Sequence, residues 1–235
     1  MKTVNDILKD RWSFSRVTTY EKCPHAFKLH YLDEIKDATS EAQHLGLLAE
    51  SLLHLRILEK EAKETDVLNL DTRMLAEKLS TSAFLELQKH TSGIPEYQKQ
   101  FDFDISYADG LKIPVTIITD FYYPELSLVV DLKTCKDYSS WTAKKANEHG
   151  QLSLYADVLT VMTGNSIKAA YLAVNKTDYR ARWLEVIPTG QSFSKRMYSA
   201  FIGVKKGMFT PCPQRLCKVY GYREHCINQN IIPKE

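Results

Sequence analysis

Two aspartates and a lysine lie close together in the segment ITDFYYPELSLVVDLKT, residues 118–134. The Pro-Glu pair that begins at Pro124 indicates a turn between two strands, and a four-residue connection there would place Asp120 opposite Asp131. Because side chains alternate along a strand, Lys133 would lie on the same face as Asp131. The segment therefore predicts two carboxylates and one ammonium group that converge on one face of a hairpin.

Such a group of side chains would suit a divalent metal ion. The apolar pair Val129 and Val130 indicates a buried strand, and placing two acids at its end costs free energy unless a cation neutralises them. Mg²⁺ or Mn²⁺ would polarise a phosphoryl oxygen and lower the pKa of a bound water, and Lys133 would orient that water or stabilise developing charge. The alternative is a solvated hairpin in which Asp120, Asp131 and Lys133 form a surface ion cluster.

Glu50 is a third candidate acid. It lies in a leucine-rich helical stretch, with Gly46 one turn before it and His54 one turn after it, so the three share a face. A small residue at position 46 would let another backbone approach, and Glu50 could then reach a metal held by the strand aspartates. The alternative is an exposed helix glutamate, and His54 is expected to be a surface or half-buried residue rather than a ligand.

A later helix carries Gln151 and Tyr155 one turn apart. Together they could hydrogen-bond a phosphate or position a water nucleophile, or they could simply cover the edge of the sheet. The lysines between this helix and the predicted hairpin, and Tyr155 itself, are candidates for DNA contacts. The lysines in this set are Lys136, Lys144 and Lys145.

The stretch 195–226 is basic and aromatic. It holds seven Lys and Arg residues against one acid, Glu224, with tyrosines and phenylalanines between them. Phosphates and unstacked bases would fit such a surface, although a solvated basic helix is the ordinary explanation.

The chain has five cysteines, an odd number that argues against a disulfide framework. Cys135 follows the predicted hairpin and is expected to be a packing residue. The other four lie near the two ends of the chain and could form one metal site only if those ends meet, in which case the site would staple them together. These four are Cys23, Cys212, Cys217 and Cys226.

The surrounding elements predict how these residues are positioned. The order of helical and strand periodicities favours an α/β or mixed α+β fold, with a mixed central sheet flanked by helices in one domain over residues 1–235. Helical turns between 15 and 31 are interrupted at Cys23-Pro24. Longer helices are predicted over 41–63, 71–90, 141–163 and 190–207, and strands over 99–107, 112–123, 127–135, 167–174 and 180–188.

Composition excludes several classes of protein. The 235 residues are 44% hydrophobic and 26% charged, which rules out collagen-like and wholly disordered chains. The net charge of +2 argues neither for nor against a polyanionic partner. No run of about 18 apolar residues and no signal peptide are present, so we expect a cytoplasmic protein with no membrane partner.

Taken together, these motifs resemble the PD-(D/E)xK nuclease superfamily, specifically its RecB-like exonuclease branch. FSRVTTYEKCPHAFKLHYL is similar to the amino-terminal signature of the branch, LGLLAESLLH to its Gly-containing helix, ITD to its first strand acid, VVDLKT to its D/E-x-K strand and QLSLYA to its Gln-Tyr helix. The resemblance implies a Mg²⁺- or Mn²⁺-dependent DNA exonuclease. Its metal ligands would be Glu50, Asp120, Asp131 and the Leu132 carbonyl, with Lys133 as catalytic lysine and Gln151 as a helper in the active site.

Two departures from the pattern matter. Glu50 stands where the branch often has histidine, and it still offers a hard oxygen ligand. Many members hold an iron–sulfur cluster on one early and three late cysteines. Cys23, Cys217 and Cys226 match these positions, but Tyr220 occupies the fourth, so a [4Fe–4S] cluster would need Cys212. The alternatives are a zinc site or thiols that are merely buried, within a cysteine-bearing stretch over 211–227.

The resemblance leaves two classes of function open. The first is a metal-dependent exonuclease in phage recombination, host repair or CRISPR adaptation. The second is a DNA-binding or assembly module whose chemistry has lapsed and which partners a helicase or a single-strand annealing protein. The presence of all four charged residues, Glu50, Asp120, Asp131 and Lys133, disfavours the second. A sequence-specific endonuclease would need a recognition element for which no spare segment is evident.

Overall fold

The computed structural model describes residues 1–35, 40–60, 70–187, 191–212, 222–229 and 231. Contacts between Cα atoms divide the chain into two compact units. We call them the terminal unit, Met1–Thr39, Asp102–Ile117 and Ser194–Glu235, and the central unit, Ser40–Phe101 and Ile118–Phe193. The single domain over 1–235 stays a prediction.

Helices and strands alternate much as the sequence predicts. The helices are α1 (Val4–Lys9), α2 (Phe14–Lys22), α3 (Pro24–Phe27), α4 (Glu41–Ile57), α5 (Leu70–Leu87), α6 (Ala143–His149), α7 (Gln151–Thr163), α8 (Gln191–Lys205) and α9 (Arg223–Asn228). The strands are β1 (Glu96–Ser106), β2 (Lys112–Tyr123), β3 (Leu128–Cys135), β4 (Lys168–Asn175) and β5 (Ala181–Val186).

The five strands form one mixed sheet in the order β1-β2-β3-β4-β5. Strand β3 is antiparallel to β2 and parallel to β4, and β5 returns antiparallel to β4. A parallel pair needs a long crossover, which α6 and α7 provide between β3 and β4. The predicted fold class, a mixed central sheet flanked by helices, is therefore confirmed.

In the central unit, helices α4 and α5 cover one face of the sheet. Leucine and alanine side chains from both helices pack on Val130, Leu132, Leu172 and Val174 of β3 and β4. Helix α7 also contacts β3 and β4, and its residues Leu152 to Ala156 are buried. Since strand side chains alternate, Asp131 and Lys133 point away from the α4–α5 core.

Two predicted helix boundaries were wrong. The helix predicted over 41–63 ends at Ile57, because Glu59 takes a left-handed conformation with φ of 53° that cannot continue a helix; its last predicted residues, 61–63, lie outside the described residues. The helix predicted over 141–163 is two helices, broken at Gly150 with φ of 84°. Glycine adopts this conformation without a Cβ clash, so the break makes Gln151 the first residue of α7.

The terminal unit brings the two ends of the chain together. Trp12 is fully buried, stacks on Phe27 with ring centroids 5.8 Å apart and lies 5.3 Å from the ring of Phe201. The Tyr20 hydroxyl donates a hydrogen bond of 2.8 Å to the Met208 carbonyl oxygen. Any metal site shared by the early and late cysteines depends on these two ends lying close together. Within the described part of the chain, every helix is too short or too polar to cross a lipid bilayer.

Candidate active site

The turn after β2 sets the position of the two aspartates. Tyr123 pairs with Leu128 and Phe121 with Val130, as the four-residue connection predicts. The connection is a 3₁₀ turn, Pro124–Leu126, followed by Ser127 in a left-handed conformation. Continued by one pair, this register sets Asp120 beside Asp131, and one Asp120 oxygen (Oδ2) accepts a hydrogen bond of 3.2 Å from the Leu132 N–H.

Asp131 is the most deeply buried acid of the site, with 1% of its surface exposed. Its Oδ2 lies 2.5 Å from the Lys133 ammonium nitrogen, and its Oδ1 accepts a hydrogen bond of 2.8 Å from the Gln151 side-chain amide. The same amide nitrogen lies 3.2 Å from the Tyr155 hydroxyl oxygen. The structure thus brings Gln151 to Asp131 and places Tyr155 behind it.

Glu50 is buried, not an exposed helix residue, with 8% of its surface accessible. The side-chain amide of Gln98 donates a hydrogen bond to its carboxylate, and Tyr97 is a further hydrogen-bond partner. A Cβ at Gly46 would lie 3.7 Å from the Thr134 hydroxyl, an ordinary contact. The neighbour at this position is therefore a side chain, and the expectation that a backbone approaches there was wrong.

His54 lies on the same helix, half-buried as predicted. Its ring stacks on Tyr97 with centroids 4.0 Å apart, an arrangement that packs the imidazole instead of directing it at the aspartates. Burial lowers the pKa of His54, which favours its neutral form.

Sequence reasoning missed Gln98, Tyr97 and Tyr171. Gln98 lies inside β1 with a left-handed backbone, φ of 49°, and its side-chain amide contacts Glu50. No sequence pattern predicts this backbone conformation. Tyr171 pairs with Asp131 across the β3–β4 ladder, is fully buried, and its hydroxyl accepts the Leu152 N–H at 3.3 Å. This hydrogen bond satisfies a backbone N–H in the first turn of α7, where Gly150 has no side chain to cap the helix.

The electrostatics of the site reflect three acids and one ammonium group. Burial raises the pKa of Glu50, and repulsion from Asp131 adds to it. Burial, then Asp131 and Glu50, raise the pKa of Asp120 well above its usual range. Burial also raises the pKa of Asp131 against the opposing attraction of Lys133. For Lys133 itself burial favours the neutral amine, but the neighbouring carboxylates outweigh burial and raise its pKa.

These pKa directions give the chemical case for a metal. With all groups ionised the site carries two negative charges in excess of its positive charge, buried where water screens them poorly. Carboxylate oxygens are hard donors of the kind that Mg²⁺ and Mn²⁺ prefer, so Glu50, Asp120 and Asp131 fit such an ion, and the Leu132 carbonyl remains a predicted further ligand.

The side chains are not, however, gathered as a finished coordination shell. Among the described residues, no group of three or more His, Cys, Asp or Glu side chains has its donor atoms arranged to hold a metal ion. Each acid is engaged by a protein donor instead: Glu50 by Gln98, Asp120 by the Leu132 N–H and Asp131 by Lys133 and Gln151. The donor chemistry fits a divalent ion, and its ligand set stays a prediction.

The predicted DNA contacts differ in exposure. Lys136, Lys144 and Lys145 are exposed, and Lys145 donates a hydrogen bond of 2.7 Å to the Ser139 carbonyl oxygen. Tyr155 is buried, and burial raises the pKa of its hydroxyl. The Tyr155 hydroxyl is placed to hold the Gln151 side chain, and little of the Tyr155 ring is exposed for contact with DNA. In the basic stretch 195–226, Arg196 is ion-paired with Glu21 at 2.6 Å, and residues 213–221 lie outside the described residues.

The cysteine region lies in the terminal unit. Cys23 and Cys226 are half-buried and pack against the same small core of Ala26, Leu29 and Tyr222, so an early and a late cysteine border one core. Cys212 is half-buried as well. Cys217 and Tyr220 lie outside the described residues, so the fourth member of the predicted site is not placed.

Cys135 is buried in the central unit, as expected of a packing residue. Its thiol contacts the Val174 carbonyl oxygen at 3.5 Å.

Comparisons with known proteins agree with this geometry. Residues 11–102 match a family model described as the PD-(D/E)XK nuclease superfamily, a stretch that contains Glu50 and ends before Asp120. The crystal structure of a protein from Eubacterium rectale, provisionally described as an exonuclease, superposes with a TM-score of 0.63 at 16% identity, covering 98% of this chain and 91% of that one. At this identity the likeness shows a shared fold.

Other comparisons carry less. The crystal structure of SSO0001 covers 77% of this chain and 94% of that one at 14% identity, but its TM-score of 0.43 is too low to support an argument. No curated protein sequence matches the chain. Over residues 11–102 the chain is thus similar to the PD-(D/E)XK nuclease superfamily, and over nearly its whole length it shares the fold of the Eubacterium rectale protein.

Proposed function

We propose that this protein is a Mg²⁺- or Mn²⁺-dependent deoxyribonuclease that acts as an exonuclease. The observation that supports this best is the buried group of Asp120, Asp131 and Lys133 at the β2–β3 hairpin. The Glu50 carboxylate is close enough to raise the pKa of Asp120, and Gln151 donates a hydrogen bond to Asp131. A bound divalent ion would activate water and neutralise charge on a phosphodiester.

The protein side chains would have separate tasks. Glu50, Asp120 and Asp131 would hold the ion. Lys133, whose pKa the surrounding carboxylates raise in the metal-free protein, would stabilise negative charge on the phosphate or orient the attacking water. Gln151 would fix the orientation of Asp131, since its side-chain amide donates to Asp131 at 2.8 Å and to the Tyr155 hydroxyl at 3.2 Å.

The finer assignment is also a proposal. The Gln151–Tyr155 pair and the packing of Cys23 and Cys226 on one core support the RecB-like branch. On that basis we propose an iron–sulfur cluster on Cys23, Cys212, Cys217 and Cys226, a DNA substrate, and a cytoplasmic protein that works beside a helicase or single-strand annealing protein. Zinc or simple burial of the thiols would leave the nuclease proposal untouched.

A nuclease assay on end-labelled oligonucleotides tests the proposal. Substrates with the 5′ or the 3′ end blocked are incubated with Mg²⁺, Mn²⁺ or EDTA. We expect mononucleotide or short products in either metal, none in EDTA, and protection by blocking one end. Cleavage of circular DNA would point to an endonuclease instead. DNA binding without cleavage under every metal condition would favour the lapsed DNA-binding module.

A further inference from the structure

Arg182 lies on the face of the sheet that carries Asp131 and Lys133, and further cations follow the ends of β3 and β4. Lys133 pairs with Ala173 of β4, and Ala173 pairs with Arg182 of β5. Directly paired residues of neighbouring strands place their side chains on the same face. Arg182 therefore lies in the same row as Lys133, two strands away, a separation of about 10 Å.

The surroundings of Arg182 hold its guanidinium in place. It stacks over the ring of Tyr138, with the guanidinium carbon 3.6 Å from the ring centroid, and the Tyr138 hydroxyl donates a hydrogen bond of 2.5 Å to the Arg180 carbonyl oxygen. A stacked guanidinium loses less freedom on binding and keeps its N–H edge available for a phosphate.

Further cations converge on the same place. The Lys176 N–H donates a hydrogen bond of 2.8 Å to the Cys135 carbonyl oxygen, and the Thr177 hydroxyl donates one of 3.0 Å to the Lys136 carbonyl oxygen. These two hydrogen bonds connect the end of β3 to the β4–β5 turn. We call this surface the basic strip: Lys136, Tyr138, Lys176, Arg180 and Arg182.

The two acids beside the basic strip, Asp137 and Asp178, cancel only part of its charge, because the strip holds four cations. Asp137 accepts a hydrogen bond of 2.8 Å from the Ser139 N–H, and Asp178 accepts one of 3.1 Å from the Arg180 N–H. Both carboxylates thus stabilise the backbone of a turn. Asp178 also lies 4.0 Å from the Arg180 guanidinium. Within the described part of the chain, Lys136, Lys176 and Arg182 form no ion pair.

We propose that the basic strip binds the sugar–phosphate backbone of a single DNA strand whose scissile phosphate lies at Asp131. This inference rests on the proposed function and extends it by naming the path of the substrate beyond the carboxylates. Three features support it: the shared face and row with Lys133, the stacked guanidinium, and cations at the carboxyl ends of the parallel strands β3 and β4, where open α/β sheets bind ligands.

The chain offers a matched control at the other end of the same strands. Lys168 begins β4, is exposed and lines a cavity of about 580 Å³ together with His90. Lys89, next to His90, is also exposed and forms an ion pair of 2.6 Å with Glu86. The variant Lys89→Ala/Lys168→Ala therefore removes the same charge as Lys176→Ala/Arg182→Ala, but at the amino ends of β3 and β4.

Binding is measured by fluorescence anisotropy with a labelled oligothymidylate in EDTA, so that no cleavage occurs. We expect Lys176→Ala/Arg182→Ala to bind roughly tenfold more weakly than wild type, and the slope of log affinity against log salt to fall by about 1.4, the value for two lost phosphate contacts with a single strand. Lys89→Ala/Lys168→Ala should stay within about twofold of wild type. Arg182→Lys should weaken binding less and leave the salt slope unchanged, because it keeps the charge but loses the planar fork.

The outcomes separate the two proposals. Equal weakening by both double variants, unchanged binding by Lys176→Ala/Arg182→Ala, or no binding by wild type would overturn the basic strip. A wild type that binds as described but cleaves nothing in Mg²⁺ or Mn²⁺ would reject the nuclease and leave the basic strip standing. Circular dichroism and thermal melting confirm that each variant is folded.

Discussion

The carboxylate site of the central unit and the cysteine region of the terminal unit were both candidates for metal binding, and they differ in how their residues are assembled. In the carboxylate site a short hairpin brings Asp120, Asp131 and Lys133 together. Glu50 comes from a helix before this hairpin and Gln151 from a helix after it. In the cysteine region Cys23 and Cys226 are near opposite ends of the chain and pack on a common core only because the terminal unit folds.

The two regions also differ in what stabilises them without a metal. The buried acids repel one another, and burial raises the pKa values of Glu50, Asp120 and Asp131, so a bound cation would stabilise their ionised forms. Cys23 and Cys226 instead pack as small apolar groups against Ala26, Leu29 and Tyr222, and the Cys23 sulfur accepts the Ala26 N–H at 3.4 Å. The acid pattern therefore gains from a bound ion for electrostatic reasons, whereas cysteines can be retained by packing alone.

The largest expected effect separates the two regions by reaction rate. Asp131→Asn should lower kcat by about 10³-fold or more, because it removes a proposed metal ligand beside the reacting phosphate. Cys226→Ser should leave kcat within a few-fold. Rates are measured on an end-labelled oligonucleotide in Mn²⁺, with Glu185→Gln, an exposed carboxylate of β5, as the control. Full activity of Asp131→Asn would remove the basis of the proposed mechanism.

Gln151 should matter less than the acids. Gln151→Leu keeps the helix but loses the 2.8 Å hydrogen bond to Asp131, and we expect a 10- to 100-fold loss of kcat/KM, as for residues that orient a metal ligand. Gln88→Leu, an exposed glutamine after α5, is the matched control. If Gln151→Leu behaves like this control, its contact with Asp131 has no part in catalysis.

The cysteine region is tested by metal content and stability. If its thiolates hold a cluster, anaerobically purified protein should contain iron and acid-labile sulfide, and Cys23→Ser should lose both together with several kcal/mol of stability. Without a cluster, Cys23→Ser should cost about 1 kcal/mol through its half-buried contacts alone. Wild-type iron content in Cys23→Ser would exclude this thiol as a ligand.

A smaller effect is the pH dependence of the metal-free protein. The pKa values of Glu50, Asp120 and Asp131 are higher in the folded than in the unfolded chain, so the folded state binds more protons at pH values above about 4. The free energy of unfolding should therefore fall as pH rises from this value through the raised pKa values, and excess Mg²⁺ should flatten the fall. Urea denaturation at a series of pH values measures it. A rise of stability over this range would contradict the assigned directions.

The smallest expected change is a gain of stability in Asp120→Asn. The amide oxygen can still accept the Leu132 N–H, and the repulsion from Asp131 and Glu50 is removed. The metal-free variant should be more stable by about 1 kcal/mol, a rise of roughly 2–4 °C in Tm. Asp131→Asn should gain less, because it also deprives Lys133 of its ion-pair partner. Differential scanning calorimetry in EDTA compares the two variants.

Much of the carboxylate site could be predicted because its geometry is local. The turn after Tyr123 fixes which residues of β2 and β3 face each other, the twofold alternation of a strand puts Asp131 and Lys133 on one face, and one helical turn joins Gln151 to Tyr155. The break at Gly150 and the end of α4 at Ile57 escaped prediction, because helical periodicity is insensitive to one residue with a left-handed backbone.

The amino-acid sequence by itself determined the hairpin, its converging charges and the superfamily resemblance, because these depend on neighbours separated by few residues. Only the tertiary structure decided that Glu50 is buried against Gln98, that Arg182 stands in the row of Lys133, and that Cys23 and Cys226 pack on one core. Each of these contacts joins segments far apart in the chain. Such contacts form only when burial of apolar surface across the sheet and helices offsets the entropy of closing long loops, and no local pattern encodes their register.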